Sequence, residues 1–188
     1  MAQVTYVGDS LAAGLFASTE ERTFRALTTA AVAAGGPSEE QGTAIVGGTV
    51  QSKLELNEQL PQDQHLYVVE LGTNDVTQVD YQTFAVQYET LLERVREAAP
   101  EAALVCLGTW RPPAQGANFD LVIRQLCEEY DGVYRQLSDL QAEPSYRGPE
   151  GVDTFEGTSD DFHPNDAGHQ AIHERLMSAI TVSRQGQP

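Results

Sequence analysis

Residues 66–72 read "LYVVELG", and the chain turns polar directly after them, at Thr73-Asn74-Asp75. Apolar side chains on successive positions, rather than alternating ones, fit a strand covered on both faces. Four more runs have this character: "QVTYVG" near 3–8, "TAIVGG" near 43–48, "ALVCLG" near 103–108 and the weaker "GVYRQL" near 132–137. Helical patterns lie between them. Residues 20–34 stop at Gly35-Gly36-Pro37. Residues 81–99 repeat Phe84, Tyr88, Leu91, Leu92 and Val95 and stop before Pro100. Residues 118–130 behave likewise, and a last helix near 165–180 carries Ala167, Ala171, Ile172, Leu176 and Ile180. This alternation predicts an α/β fold with a parallel sheet and helices on both faces. Such sheets place their sites beyond the carboxyl ends of the strands, so chemistry is expected just past each run.

Length and composition narrow the class. At 188 residues and 40% hydrophobic content, residues 1–188 are expected to form one domain with a sizeable core. No stretch nears the roughly 18 consecutive apolar residues of a membrane span. The opening "MAQVTYVGDS" enters a strand pattern at once and shows no basic region or cleavage site, which leaves cytoplasmic and processed secreted locations both open. The formal charge is −17, with Lys53 and ten arginines against 28 carboxylates. That surface repels phosphate backbones and anionic lipid, so neither nucleic acid nor a charged membrane is an expected partner. Two cysteines do not make a disulfide framework. Cys106 lies in "ALVCLG", and Cys127 shares an apolar helix face with Phe119, Val122, Ile123, Leu126 and Tyr130. Both are expected as small, buried, inert thiols, with a bridge between them the less favoured alternative.

The strand ends carry four polar signatures in order: Gly8-Asp9-Ser10, Val46-Gly47-Gly48-Thr49, Gly72-Thr73-Asn74-Asp75, and Asp160-Asp161-Phe162-His163-Pro164-Asn165 before the final helix. Each alone has a structural explanation. Asp9 or Ser10 caps a helix, Asn74 and Asp75 favour a turn, and Pro164 suits a helix start. All four at the expected ends of one sheet are harder to explain that way. The longest irregular stretch, 138–163, leads to the fourth, and loops of that length in small domains tend to be functional or mobile.

These four signatures resemble those of the GDSL, or SGNH, hydrolase family, over nearly the whole chain. Ser10, a glycine of Gly47-Gly48, Asn74 and His163 match the four residues of the family's second name, and Asp160 with His163 matches its Asp-x-x-His pair. The resemblance implies a flavodoxin-like three-layer αβα sandwich around a five-stranded parallel sheet. It also implies ester hydrolysis through a serine nucleophile, with no cofactor and a small-molecule ester as substrate.

The chemistry follows from residue types as well. A serine hydroxyl is a weak nucleophile near neutral pH and needs a base. His163 is the candidate, since imidazole titrates near ~6.5 and the long loop can fold it over the sheet. A carboxylate must fix its tautomer; Asp160 lies three residues earlier, and adjacent Asp161 competes less well on spacing. The family pattern assigns the oxyanion hole to the Ser10 and Gly47 N–H groups and the Asn74 side chain. Val46 stands where the family usually has serine, which leaves the register between Gly47 and Gly48 open. Asp9 and Asp75 are expected to brace their turns.

Trp110 and Arg111, beyond the fourth strand, are expected at a substrate wall, with Arg111 in an exposed ion pair. His169 and His173 are expected on a solvated helix face, because a metal would need a third ligand that the sequence does not offer. No Gly-x-Ser-x-Gly elbow, Walker loop, dinucleotide fingerprint or His-Glu-x-x-His motif is present. The expected function is a serine esterase for short acyl or acetyl groups. Alternatives are an acyltransferase using the same acyl-enzyme, a thioesterase or lysophospholipase, and, remotely, a non-catalytic binding module.

Overall fold

The computed structural model describes residues 1–183. Strand β1 (Ala2–Gly8) runs straight into a one-turn helix, α1 (Ser10–Ala13), and then α2 (Phe24–Val32). Next come β2 (Ser38–Ala44), α3 (Val50–Glu55), β3 (Leu66–Glu70), α4 (Tyr81–Ala98), β4 (Ala103–Leu107), α5 (Pro113–Glu129) and β5 (Val133–Arg135). A short α6 (Ser138–Ala142) and a two-stranded hairpin, β6 (Asp153–Thr154) with β7 (Gly157–Thr158), precede α7 (Asp166–Met177). Strands β1 to β5 are all parallel, in the order β2-β1-β3-β4-β5. Chain direction across the sheet reverses at β1, and the crevice beside such a strand is where open α/β sheets bind ligands.

Strand residues alternate between two cores. Val7, Tyr67, Val69, Leu104 and Cys106 pack under Phe84, Tyr88, Leu91, Leu92 and Val95 of α4 and Phe119, Ile123 and Cys127 of α5. Val4, Tyr6, Leu66, Val68, Val105 and Leu107 face Phe24 of α2 and Ile172 and Leu176 of α7. Both faces of the sheet are covered, which is why β3 reads as one apolar run and is buried at every position. The result is the expected three-layer αβα sandwich.

The second strand is not where the apolar run lies. β2 is the polar "SEEQGTA", and Ile45 and Val46 lie in the following loop, with Val46 61% exposed. β2 pairs with β1 alone, so as an edge strand it needs few apolar residues, and its exposed positions are filled by Glu39, Gln41, Gly42 and Ala44. α3 is too short to leave a periodic signal in the sequence. α5 begins about one turn before the expected 118, with proline in its first turn. The stretch 138–163 is broken up by α6 and the hairpin rather than being irregular throughout.

The cysteines need a second correction. Both are buried, as expected, but Cys106 and Cys127 form a disulfide between β4 and α5. Packing of α5 on the sheet brings their Cα atoms to 6.1 Å, a range that suits a bridge, and spacing along the chain carries no trace of this.

Candidate active site

Three of the four polar signatures follow neighbouring strands. Ser10 comes directly after β1, Gly47-Gly48 after β2, and Asn74 after β3, so sheet order alone gathers them. Asp9 is the helix cap, its Oδ1 accepting the Leu11 N–H at 3.0 Å, while Ser10 opens α1 with its hydroxyl directed elsewhere.

That hydroxyl lies 2.9 Å from His163 Nε2, across 153 residues of sequence. His163 Nδ1 lies 2.8 Å from Asp160 Oδ2. A carboxylate only accepts, so Nδ1 carries the proton and Nε2 is free to accept from Ser10. Asp9 Oδ1 is also near Ser10 Oγ, at 3.4 Å, but the imidazole is closer. Asp160 Oδ1 accepts the N–H groups of Phe162 and His163 at 2.9 and 2.8 Å, which fixes the turn and the carboxylate together. Burial pushes the Asp160 carboxyl up, yet the hydrogen bonds from His163 and Phe162 outweigh it and hold the group below its usual value. Asp161 is exposed and meets the site through none of these bonds.

Two aromatic rings that sequence reading does not find flank the imidazole. Phe16 and Phe162 each stand edge-on to His163, at 5.1 Å and 88°. Phe16 sits at φ 66°, in the left-handed region. A lone aromatic residue in a loop gives no signal of such a role.

At the second signature, the Gly48 N–H donates to Ile45 O at 2.7 Å, closing a tight turn. Among the described residues the Gly47 N–H has no partner, and Gly47 sits at φ 73° with open space where a Cβ would be. Asn74 Nδ2 donates to Gly48 O and to Asp9 Oδ2, both at 3.0 Å. The Asp75 carboxylate accepts the Val50 N–H, at 3.1 and 3.3 Å to its two oxygens, so it braces α3 rather than its own turn. Burial raises the Asp75 carboxyl to about 6, against the Val50 hydrogen bond.

Several expectations fail. Trp110 does not line a substrate wall: it is fully buried, and its indole N–H donates to Phe162 O at 2.8 Å. Packing of Trp110 beneath the His163 loop makes it a support for that loop. Arg111 forms no ion pair among the described residues; its Nε donates to Thr73 O at 2.9 Å and its guanidinium lies 4.8 Å over the Phe162 ring. His169 is not solvated. It is fully buried, accepts the Phe24 N–H at Nδ1 (3.3 Å) and donates from Nε2 to Leu15 O (3.1 Å). Burial lowers its pKa to about 4. His173 bonds Thr28 at 2.9 Å. The apolar face of α7 turns His169 inward, which a four-residue spacing could not reveal.

Residues 6–171 match the sequence pattern of the GDSL-like Lipase/Acylhydrolase family. The chain belongs to that family and is a hydrolase of ester bonds. A search of curated proteins finds no match. Among solved structures, a phospholipase A1 from Streptomyces albidoflavus aligns with a TM-score of 0.74 at 16% identity, over 95% of this chain and 99% of that one. A point mutant of Axe2, an acetyl-xylooligosaccharide esterase from Geobacillus Stearmophilus, aligns at 0.73 and 15%, over 98% and 97%. The psychrotrophic esterase EstA from Pseudoalteromonas sp. aligns at 0.71 and 18%, over 95% and 96%. At these identities the likeness is one of fold.

Proposed function

We propose that this protein hydrolyses carboxylic esters of short acyl groups through an acyl-enzyme on Ser10. The observation that carries the reading is the unbroken hydrogen-bonded chain from Asp160 through His163 to Ser10 Oγ, at 2.8 and 2.9 Å. In this reading Ser10 Oγ attacks the ester carbonyl carbon as its proton passes to His163 Nε2, and the carbonyl electron pair moves onto oxygen. Asp160 stabilises the imidazolium by accepting from Nδ1. The tetrahedral intermediate collapses, its C–O bond to the alcohol breaks, and His163 returns the proton to the leaving alkoxide. Water, deprotonated by the same imidazole, then attacks the acyl-serine and releases the acid and free Ser10.

The oxyanion needs preorganised donors. Gly47 is the favoured glycine, because the Gly48 N–H already serves its own turn. The Ser10 N–H joins it as the first amide of α1, which has no acceptor a turn earlier. Asn74 supplies the third donor. An oxyanion is a stronger acceptor than a neutral carbonyl, so it competes for the N–H that Gly48 O otherwise receives. The open space at Gly47 gives a small acyl ester room to approach.

A fluorophosphonate probe followed by peptide mass spectrometry tests the nucleophile. An adduct at Ser10, lost in Ser10→Ala together with turnover of 4-nitrophenyl acetate, is the expected outcome. Labelling elsewhere with turnover intact refutes it. A series of nitrophenyl esters from acetate to dodecanoate tests the acyl preference, and highest kcat/KM on the long chains overturns the short-acyl reading.

A further inference from the structure

Beneath the nucleophile lies a second carboxyl group that the mechanism above does not use. Glu70 ends β3, is 1% exposed, and reaches up into the β1–α1 turn. Its Oε2 accepts the N–H groups of Asp9 at 3.3 Å and Ala12 at 3.2 Å, on either side of Ser10. The fit is close: a Cβ on Gly8 would collide with Ala12 Cβ and come within 2.8 Å of Glu70 O and 2.9 Å of that oxygen, so only glycine fits where β1, the serine turn and Glu70 meet. Asp9, also fully buried, continues the network. Its Oδ1 accepts from Leu11 N and its Oδ2 from Asn74 Nδ2, both at 3.0 Å. One connected set of bonds therefore runs from Glu70 through the serine turn to Asn74.

Two carboxyl groups this close and this buried cannot both be ionised without a cation to offset them. The titratable and charged groups facing them supply none in contact. Asp75 lies on the turn after β3, and on α4 the Tyr88 hydroxyl has no hydrogen-bond partner among the described residues. Arg111, after β4, feels the Asp9 charge through space but bonds Thr73 instead. His163 and Ser10 close the remaining side. Burial raises the Asp9 carboxyl too, to about 7, against donors from Leu11, Asn74 and Ser10; Glu70 receives the two backbone N–H groups at Oε2, and its Oε1 has no partner among the described residues. Burial, and then the Asp9 charge, push the Glu70 carboxyl well above its usual range.

Building on the serine-hydrolase reading, we propose that Glu70 is a positioning residue: holding the proton that it and Asp9 share, it fixes the turn that presents Ser10 and, through Asp9, the amide of Asn74. Loss of that proton at alkaline pH sets two buried charges against each other. The end of β3 and the serine turn are then driven apart, and activity falls. A permanently neutral isostere is immune to that step.

Difference infrared spectroscopy of the whole protein at neutral pH reads the proton without reference to catalysis. The expected result is a protonated-carboxyl band that disappears in Glu70→Gln. In kinetics, Glu70→Gln is expected to keep kcat for 4-nitrophenyl acetate within about threefold and to move the alkaline limb of its pH profile upward. Glu70→Ala, which leaves two buried N–H groups unpaired, is expected to lower kcat about 10- to 100-fold with KM within about twofold. If Glu70→Ala does not fold, Glu70→Gln still decides the matter. Absence of the band, or an alkaline limb identical in wild type and Glu70→Gln, overturns the proposal. Turnover that survives Ser10→Ala sinks the serine-hydrolase reading instead, while the infrared result still reports on the carboxyl pair.

Discussion

Trp110 donates its indole N–H to the carbonyl oxygen of Phe162 at 2.8 Å, and that carbonyl belongs to the residue immediately before His163. The loop bearing His163 is thus pinned from below by a fully buried side chain just beyond β4. Phe162 in turn lies between the Arg111 guanidinium and the imidazole, contacting both. The precision of the 2.9 Å contact between His163 and Ser10 depends on this support, because the 147–165 segment has little regular structure of its own.

Trp110→Phe removes one buried donor with a modest loss of volume, and Phe162 O loses its partner. The variant is expected to lose about 1–3 kcal/mol of stability. Its kcat is expected to fall about tenfold, with little change in KM, as His163 loosens. Urea unfolding and steady-state kinetics check both. Unchanged kcat would show that the loop holds its geometry without the tryptophan.

Asp160→Asn keeps the shape of the side chain, but its amide donates where the carboxylate accepted. The imidazole then favours the tautomer with its proton toward Ser10. Turnover is expected to drop by about 10⁴-fold with the fold intact. Asn74→Ala is expected to cost about 100- to 1000-fold in kcat. Circular dichroism distinguishes loss of chemistry from loss of structure in each.

Reduction of the Cys106–Cys127 bridge is expected to destabilise the protein by about 3 kcal/mol, since it frees a loop whose ends are 21 residues apart in the unfolded chain. Urea unfolding with and without reductant, and of Cys127→Ser, measures this. Identical midpoints would mean that packing alone holds β4 to α5.

Burial of neutral His169 makes stability depend on pH. Its folded value, about 4, lies below the unfolded value near ~6.5, so between these the unfolded chain binds the extra proton. The His169 contribution is therefore full above about 6.5 and is lost as pH falls toward about 4. The stability difference between wild type and His169→Gln is expected to shrink across that window. A difference that is flat or grows on acidification contradicts this. The comparison with the variant is needed because Asp75, raised to about 6, acts in the opposite direction, losing its contribution as pH rises.

The strand runs at 3–8, 66–72 and 103–108 are legible because strands covered on both faces are mostly apolar on both, with only a few polar residues such as Thr5 and Glu70 among them. β2 escapes for the converse reason: an edge strand with one neighbour carries polar residues, and the apolar pair Ile45-Val46 beside it belongs to a loop. Ser10 and Asn74 after strands, and Asp160 and His163 before the last helix, are legible because their residue types and order are those that the proposed acyl transfer needs. The residues that support them are not. Glu70, Phe16 and Trp110 each act across 52 or more positions of sequence; Phe16 and Trp110 look like ordinary loop and core residues, and Glu70, though unusual as a carboxyl inside an apolar run, carries no trace of its partners.

By itself, then, the sequence determined the layered parallel fold and which polar groups stand at the ends of its strands. Periodicity and residue chemistry are local properties and survive in one dimension. The tertiary structure alone decided which of Gly47 and Gly48 keeps an unpartnered N–H among the described residues, that Cys106 meets Cys127, and that Asp9 and Glu70 share a buried site under Ser10. These depend on distances between segments remote in the chain, set by how helices pack on the sheet and by the exclusion of water from the space between.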